Sequence, residues 1–309
     1  MSHDSKNISH RLLTTLEQMQ EVASELDSFL QHQKDCHFFL KPDWVLPWIS
    51  IFMDSRSKVW AHIFEIDGQL VGYAPFYLKY IGRFQGYALH ILGDGEDEAM
   101  EVSSEYPDVA ILEPYKTEVF AKLTDELERL DNVTSIVFKR LLARSDILYW
   151  TSLLPRKWYT SIESIGFRFV LDVFQSESNQ VDSLPSAQLR RQFRKWRNSS
   201  DRVKVRIAND ISSAESEFLF LKELHSNSWN ARGKRGAFSS REFSDFHQKF
   251  ISQISKTREV CLFSIMVNES LVASFYGWFY GSTLFYYQSG IIRRAGGGKF
   301  RKPSSLKSH

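Results

Sequence analysis

Cys261-Leu-Phe-Ser-Ile-Met-Val267, Leu271-Val-Ala-Ser-Phe-Tyr-Gly-Trp-Phe-Tyr280 and Thr283-Leu-Phe-Tyr-Tyr-Gln-Ser-Gly-Ile291 are three apolar runs in close succession. Only Asn268-Glu269-Ser270 and Gly281-Ser282 separate them. The runs are rich in β-branched and aromatic residues, and the breaks are the length of hairpin turns. That spacing predicts an antiparallel meander. The chain then reads Arg293-Arg-Ala-Gly-Gly-Gly-Lys299. A strand that runs into a glycine loop flanked by cations can aim backbone N–H groups at a pyrophosphate. Glycine permits the close approach that a Cβ would obstruct. Arg293, Arg294 and Lys299 add charge-assisted bonds to phosphate oxygens, beside Gly296, Gly297 and Gly298. Without the meander, the same residues would read as a flexible basic tail.

The segment from Ser270 to Ile292 carries no charged side chain and is long enough to span a bilayer. Its tyrosines sit mid-segment, whereas spanning helices keep them at the interfaces. With the Gly281-Ser282 break, a buried hairpin is the better reading. The remaining bulk properties are those of a globular chain. Hydrophobic content is 43% and charged content 25%, which argues against disorder. A net charge of +2 points to no particular partner. Cys36 and Cys261 are the only cysteines, too far apart for a metal spacing or a disulfide framework. The first ten residues lack an apolar core of the secretory kind. A reducing, cytoplasmic setting is the expectation.

Working outward, 11–34 reads as a helix with Leu12, Leu13, Leu16, Met19, Val22, Leu26 and Leu30 on one side. A loop with Pro42 and Pro47 follows. Val59 to Ile66 and Leu70 to Leu78 flank Asp67-Gly68, a strong hairpin signal. Further strands are expected at Ala88–Leu92, Val109–Leu112 and Ser135–Phe138, with a helix over about 116–130. The second half opens on a strand at Phe167–Val173 and a helix from about Ser186. Val203–Ile207 is the next strand, and helices over about 213–228 and 241–255 complete it. Ile66-Asp-Gly-Gln-Leu-Val-Gly72 lines up with Val267-Asn-Glu-Ser-Leu-Val-Ala273 at an offset of 201 positions. The fold expected is therefore α/β (α+β), two copies of one unit in tandem, 1–165 and 166–309. The copies differ after the third strand. The first has Gly93-Asp-Gly-Glu-Asp-Glu98, whose four carboxylates would repel a pyrophosphate.

Several motifs in this order resemble the GNAT acyltransferase superfamily. They are Phe39-Leu-Lys-Pro-Asp-Trp44 with Trp48, Asp67-Gly-Gln-Leu-Val-Gly-Tyr-Ala-Pro75, Leu189-Arg-Arg-Gln-Phe-Arg194, Leu224-His-Ser-Asn-Ser-Trp229 with Arg232-Gly233, and the meander. More narrowly they look like the tandem branch of cellulose-biosynthesis-type acetyltransferases, relatives of the Fem-type aminoacyl transferases. The resemblance implies two mixed, mainly antiparallel sheets flanked by helices, and acyl-CoA as co-substrate. Arg293, Gly296 and Gly298 match the family's pyrophosphate loop. It also implies that the thioester lies beside Tyr286, Tyr287 and Gln288, where a main-chain N–H can stabilise an oxyanion. The acceptor implied is polysaccharide- or cell-envelope-related. Only Phe300 to His309 follow the loop, with Pro303 among them. The expectation is a second unit cut short, lacking the family's usual tyrosine acid and offering a sheet edge for self-association. A catalytically inactive binding module is the alternative from another class.

Acyl transfer needs a base for the acceptor proton and a donor for the leaving thiolate. His225 is the candidate base, Glu223 the second, and Tyr287 the candidate donor. Each has a plainer role as a packed histidine, a solvated carboxylate and a core tyrosine. Tyr286 and Tyr287 face opposite sides of a strand, so at most one meets the thioester. Arg190, Arg191 and Arg194 open a basic stretch that runs to Arg206 and includes Lys195, Arg197, Arg202 and Lys204. A solvated face is its simplest reading. An anionic acceptor site, with Trp229 as a packing or substrate residue, comes second. Nucleic-acid binding, with Phe193 and Trp196 for stacking, comes last. The nine histidines show no metal-ligand spacing.

Overall fold

The computed structural model describes residues 8–33, 38–155, 157–158, 161, 187–188, 190–191, 194, 198, 201–256, 259–281 and 283–292. Two hairpins fix its plan. Strand β2 (Lys58–Ile66) turns at Asp67-Gly68 into β3 (Gln69–Gly82). Strand β8 (Val260–Val267) turns at Asn268-Glu269 into β9 (Ser270–Tyr280). The turn residues have φ of 51° and 75° in the first and 49° and 62° in the second, as a two-residue hairpin loop demands. Each hairpin carries a β-bulge, between Phe64 and Glu65 and between Ile265 and Met266. The bulges stand at the same 201-position offset as the sequence match, so the repeat extends to a local irregularity.

The first sheet contains β1 (Ser9–Leu13), β2, β3, β4 (Gly86–Ile91) and β6 (Val133–Ile136) in that order, with β5 (Ala110–Ile111) pairing on β3. Only the β4–β6 pair is parallel. The second sheet runs β10 (Thr283–Ile291), β9, β8, β7 (Val203–Ile207), all antiparallel. Between β1 and β2 lie helices α1 (Leu16–Glu21), α2 (Ala23–Gln31) and α3 (Pro42–Phe52). Helices α4 (Lys116–Glu128) and α5 (Asp146–Leu153) flank β6. Between β7 and β8 lie α6 (Ile211–Asn230) and α7 (Arg241–Ile254). The two sheets, each flanked by helices, are consistent with tandem copies of one α/β unit.

Two readings of the first half change. Leu12 and Leu13 belong to a strand, not to a helix: Ser9–Leu13 pairs with Glu65–Ala61. The helical period begins only after Thr15, whose side chain caps Gln18 N. Residues 42–52 form a helix rather than a loop. Pro42 sits in its first turn, where a missing N–H costs nothing, and Pro47 is tolerated because Trp44, Val45, Trp48 and Ile49 bury one face. The strand expected at 167–173 lies outside the described residues, whereas the described positions of 187–194 are helical. Residues 270–291 form the β9–β10 hairpin, and among the described residues no helix is long and apolar enough to cross a membrane.

The halves share one core. Trp44 lies 4.8 Å from Phe246 and 5.0 Å from Phe250 in α7, ring to ring. Phe38 lies 5.1 Å from Trp278 and 5.4 Å from Phe285. Trp44 and Trp278 are wholly buried. Burial of such a side chain is worth about 3 kcal/mol, and each favourable ring pair about 1 kcal/mol more. This contact sets the loop that follows β4 against strand β10.

Candidate active site

Strand β10 is bulged at its centre: Tyr286 pairs with Gly277 and Gln288 with Tyr276, so Tyr287 is the additional residue. A bulge interrupts the ladder and re-aims side chains and main-chain groups. Tyr286 is exposed and bonds Ser289, whereas Tyr287 is half-buried and packs against the core.

Helix α6 crosses β10 at Gly290. A Cβ there would lie 2.5 Å from Leu224 Cβ and 2.6 Å from His225 N, so glycine sets the closeness of helix and strand. That crossing delivers His225, 3% exposed, to the bulge. Its ring lies 4.9 Å from that of Phe238 and 5.9 Å from that of Trp229. Gly236 closes the other side, where a Cβ would come within 2.6 Å of Cε1 and 2.8 Å of Nδ1. Burial pushes the imidazole below its ordinary pKa, Gln288 opposes this and Arg232 reinforces it. The ring is therefore neutral near pH 7, and its Nδ1 has no hydrogen-bond partner.

A cavity of about 300 Å³ opens beside the bulge. Tyr287, Gln288, Phe285 and Trp278 form its wall from the second half, and Ala237, next to Gly236, adjoins them. The opposite wall comes from the first half, with Phe39, Glu98, Glu101 and Glu105. Tyr287 crosses between the halves and donates to Val102 O at 2.7 Å. Burial pushes its phenol well above the ordinary range, and Glu96, Glu101 and Glu105 add to this while Arg140 opposes it. His247 packs on Tyr287 with ring centroids 4.6 Å apart, and burial holds it neutral.

The acidic loop after β4 is folded inward. Asp94 is fully buried and ion-paired with Arg140 at 3.0 Å. Glu96 Oε1 accepts from Trp48 Nε1 at 2.7 Å and from Val102 N at 3.4 Å, and its Oε2 is unpartnered. Burial raises Glu96 to about 7, and Asp94 contributes to the rise. Tyr77 and Lys79 donate to Asp94 O and Gly95 O at 2.8 and 2.6 Å. In the first half this loop is packed with side chains and carboxylates where a phosphate cradle would need open N–H groups.

Of the residues singled out from sequence, His225 and Tyr287 come to the same bulge. Glu223 does not join them, because two positions along a helix turn it by about 200° from His225. Trp229 packs beside His225 and Gly236, under the Arg232 guanidinium at 5.4 Å, and does not line the cavity. Arg190, Arg191 and Arg194 occupy helical positions and do not line the cavity. Lys204 pairs with Glu269 at 2.8 Å and Arg206 with Glu217, so part of the basic stretch is neutralised. Arg293, Arg294, Gly296, Gly297, Gly298 and Lys299 lie outside the described residues. Ile292, just before them, still bonds Val272 O at 2.9 Å. Among the described residues no group of histidine, cysteine or carboxylate side chains suits a metal. Sequence reasoning singled out Glu98 only as part of the acidic loop, and did not nominate Trp278, Gly236, Glu101 or Glu105. The acidity of Glu98, Glu101 and Glu105 was visible, but their position opposite β10 was not.

Residues 186–301 match the family described as acetyltransferase (GNAT) domain. Among curated proteins none matches the chain. Similar solved structures include a possible acetyltransferase from Clostridium difficile 630, at 13% identity and TM-score 0.32, covering 53% of this chain and 98% of that one. A ribosomal-protein-alanine N-acetyltransferase from Brucella melitensis biovar Abortus 2308 aligns at 15% identity and TM-score 0.30, over 52% and 99%. FemX aligns at 13% identity and TM-score 0.47, over 83% of this chain and 57% of its own length. With the family match and the strand order, the second half has the GNAT-superfamily acetyltransferase fold.

Proposed function

We propose that the chain is an acyl-CoA-dependent N- or O-acyltransferase whose chemistry runs at the β10 bulge of the second unit. The observation that carries this reading is His225. It is a buried imidazole, neutral near pH 7, with an unpartnered ring nitrogen, packed against Gly236 and hydrogen-bonded to Gln288, which lines the cavity at the bulged strand. A neutral imidazole of that kind can take a proton from an acceptor amine or hydroxyl. Acyl-CoA would supply the acyl group already activated as a thioester. Main-chain groups turned out of the ladder at Tyr287 are suited to oppose charge that develops on an oxygen. The loop Arg293–Lys299, continuing directly from β10, is the segment assigned to the pyrophosphate. Tyr287 stays protonated because of its burial. We assign it to joining the halves first, since its proton is already given to Val102.

The two units are taken as 1–165 and 166–309. Assignment to the cellulose-biosynthesis-type branch, with a polysaccharide- or envelope-related acceptor, rests on the sequence motifs alone. Strands β10 and β7, which bound the second sheet among the described residues, are the edges through which chains would associate.

The test is calorimetric titration of acetyl-CoA into the wild-type chain and into Gly297→Glu, with adenosine as control. Micromolar binding that the charged substitution abolishes is expected. Unchanged affinity in the variant removes the loop from the reading, and no binding by the folded wild type removes the reading itself.

A further inference from the structure

We infer that the open face of the second sheet is a self-association surface, on which a second copy of this chain packs face to face. The inference goes beyond the transferase reading and does not depend on it. Helix α6 packs across β8, β9 and β10, and α7 sets Phe250 on Trp278 and His247 on Tyr276. Strand register places Leu262, Ser264, Tyr276 and Trp278 on that covered face. The alternate residues point the other way. Val205, Ile207, Phe279, Leu284, Tyr286 and Ile291 are exposed there. Between them Phe263 stacks on Phe275 at 4.7 Å and Phe275 meets Tyr286 at 4.7 Å, so a row of rings crosses three strands. No outward side chain of the four strands is charged. The Tyr286 and Ser289 hydroxyls bond each other at 2.7 Å, so covering the face leaves neither unpaired.

The tandem repeat shows what such a face requires. At the offset of 201 positions, the pairs Trp60–Phe76 and His62–Ala74 correspond to Cys261–Gly277 and Phe263–Phe275. In the first sheet those residues are buried. Trp150 of α5 stacks on Phe76 at 5.4 Å and is tied to Thr124 of α4 at 3.1 Å. The corresponding face of the second unit is left with exposed side chains. Its exposed and half-buried side chains together offer on the order of 800 Å², about what each partner gives to a standard interface. Charge and shape decide the occupant. An uncharged face offers nothing to a charged peptide. An anionic bilayer needs a basic rim, and Lys204, beside the β8–β9 turn, is already paired with Glu269 at 2.8 Å. A second copy brings the same flat rows of side chains, opposes no like charges and closes about a twofold axis. Two such faces pack about 10 Å apart with their strands within about 30° of each other. The edges of β10 and β7 are a different surface, whose pairing would extend the sheet and leave this face uncovered.

The test is sedimentation equilibrium of the full chain between about 1 and 100 μM. Twice the chain mass is expected, with a dissociation constant in the low micromolar range or tighter. Val205→Lys and Phe279→Lys, on different strands of the face, are each expected to weaken the dimer at least about a hundredfold, because association would bury an unpaired charge. Leu219→Lys, on the exposed side of α6, is expected to leave the dimer unchanged. All three side chains are exposed in the single chain, and far-UV circular dichroism checks that each variant folds. A second readout needs no substitution of an apolar residue. Cys261 lies on the face, so its alkylation in a Cys36→Ser chain is expected to slow as the concentration passes the dissociation constant. A monomer at about 100 μM, a dimer that survives both face substitutions, open-ended association, or an alkylation rate independent of concentration overturns the inference. So does a monomer that pellets with phosphatidylcholine vesicles, which would give the face to lipid.

Discussion

The Tyr287 hydroxyl donates to the carbonyl of Val102 at 2.7 Å, while the Val102 amide donates to Glu96 at 3.4 Å. One residue of the first half thus joins the bulged strand of the second to a buried carboxylate. Tyr287→Phe removes the donor and leaves a buried carbonyl unpaired. It should cost about 1–2 kcal/mol in denaturant unfolding, with the fold retained. A cost near zero would mean that water replaces the phenol.

Glu96 should make stability fall with rising pH over a defined window. Its folded value is about 7 against an ordinary 4.5, so the folded chain keeps a proton that the unfolded chain has released. Stability from this group is present below pH 4.5, declines through about 7 and is then flat. The span corresponds to about 3 kcal/mol. Glu96→Gln removes the titration, so its advantage over the wild type should grow between those pH values and then level off. Parallel stability curves would overturn the assignment.

Two buried histidines act in the opposite sense. Burial lowers His62 to about 3, with His10 adding to the fall, and lowers His90 to about 4, with Lys79 and Lys139 adding. Both are neutral when folded and take up protons on unfolding below the ordinary 6.5. Their contribution is complete above that value and lost as the pH drops through about 4 for His90 and about 3 for His62. In the Glu96→Gln background the acid decline should be readable as proton uptake on unfolding at pH 5, to which buried His225 and His247 add. No uptake there would contradict it.

Gly236→Ala tests the imidazole position. The backbone at Gly236 is extended, with φ of −87°, so alanine is conformationally acceptable, and its Cβ would meet the His225 ring at 2.6 Å and Trp229 Cδ1 at 3.0 Å. Acyl transfer should drop about a hundredfold, in keeping with loss of a general base, with a stability cost of about 1–3 kcal/mol as the buried ring shifts. Full activity, with an unchanged NMR titration of His225, would separate the ring from the chemistry.

Gly290→Ala tests the crossing of helix on strand. The new Cβ would meet Leu224 Cβ and the His225 main chain, and the backbone cannot give way without moving α6. A loss of about 1–3 kcal/mol is expected, together with weaker transfer. A variant as stable as the wild type would show that the helix slides freely.

The hairpins were legible because their signals are local. Asp67-Gly68 and Asn268-Glu269 carry the positive φ that the turn needs, and the period of two is written in the flanking residues. Helices α6 and α7 were legible too, since Asp210 and Ser240 cap them and the apolar spacing follows. Residues 9–13 and 42–52 were misread for one reason. Leu12-Leu13 fits either period until β2 offers a partner, and Pro47 suggests a break until the core holds the helix together.

The sequence by itself determined the meander and the repeated hairpin and nominated His225, because each depends on neighbours within a few residues. Tertiary structure alone decided that Glu98 and Glu105 line one cavity with Trp278 and Tyr287. These are contacts between groups about 180 residues apart in the chain, and they exist only because Phe38 and Trp44 bury themselves against α7 and β9. Local propensity cannot encode such a contact, since its free energy comes from surface removed from water on both partners at once.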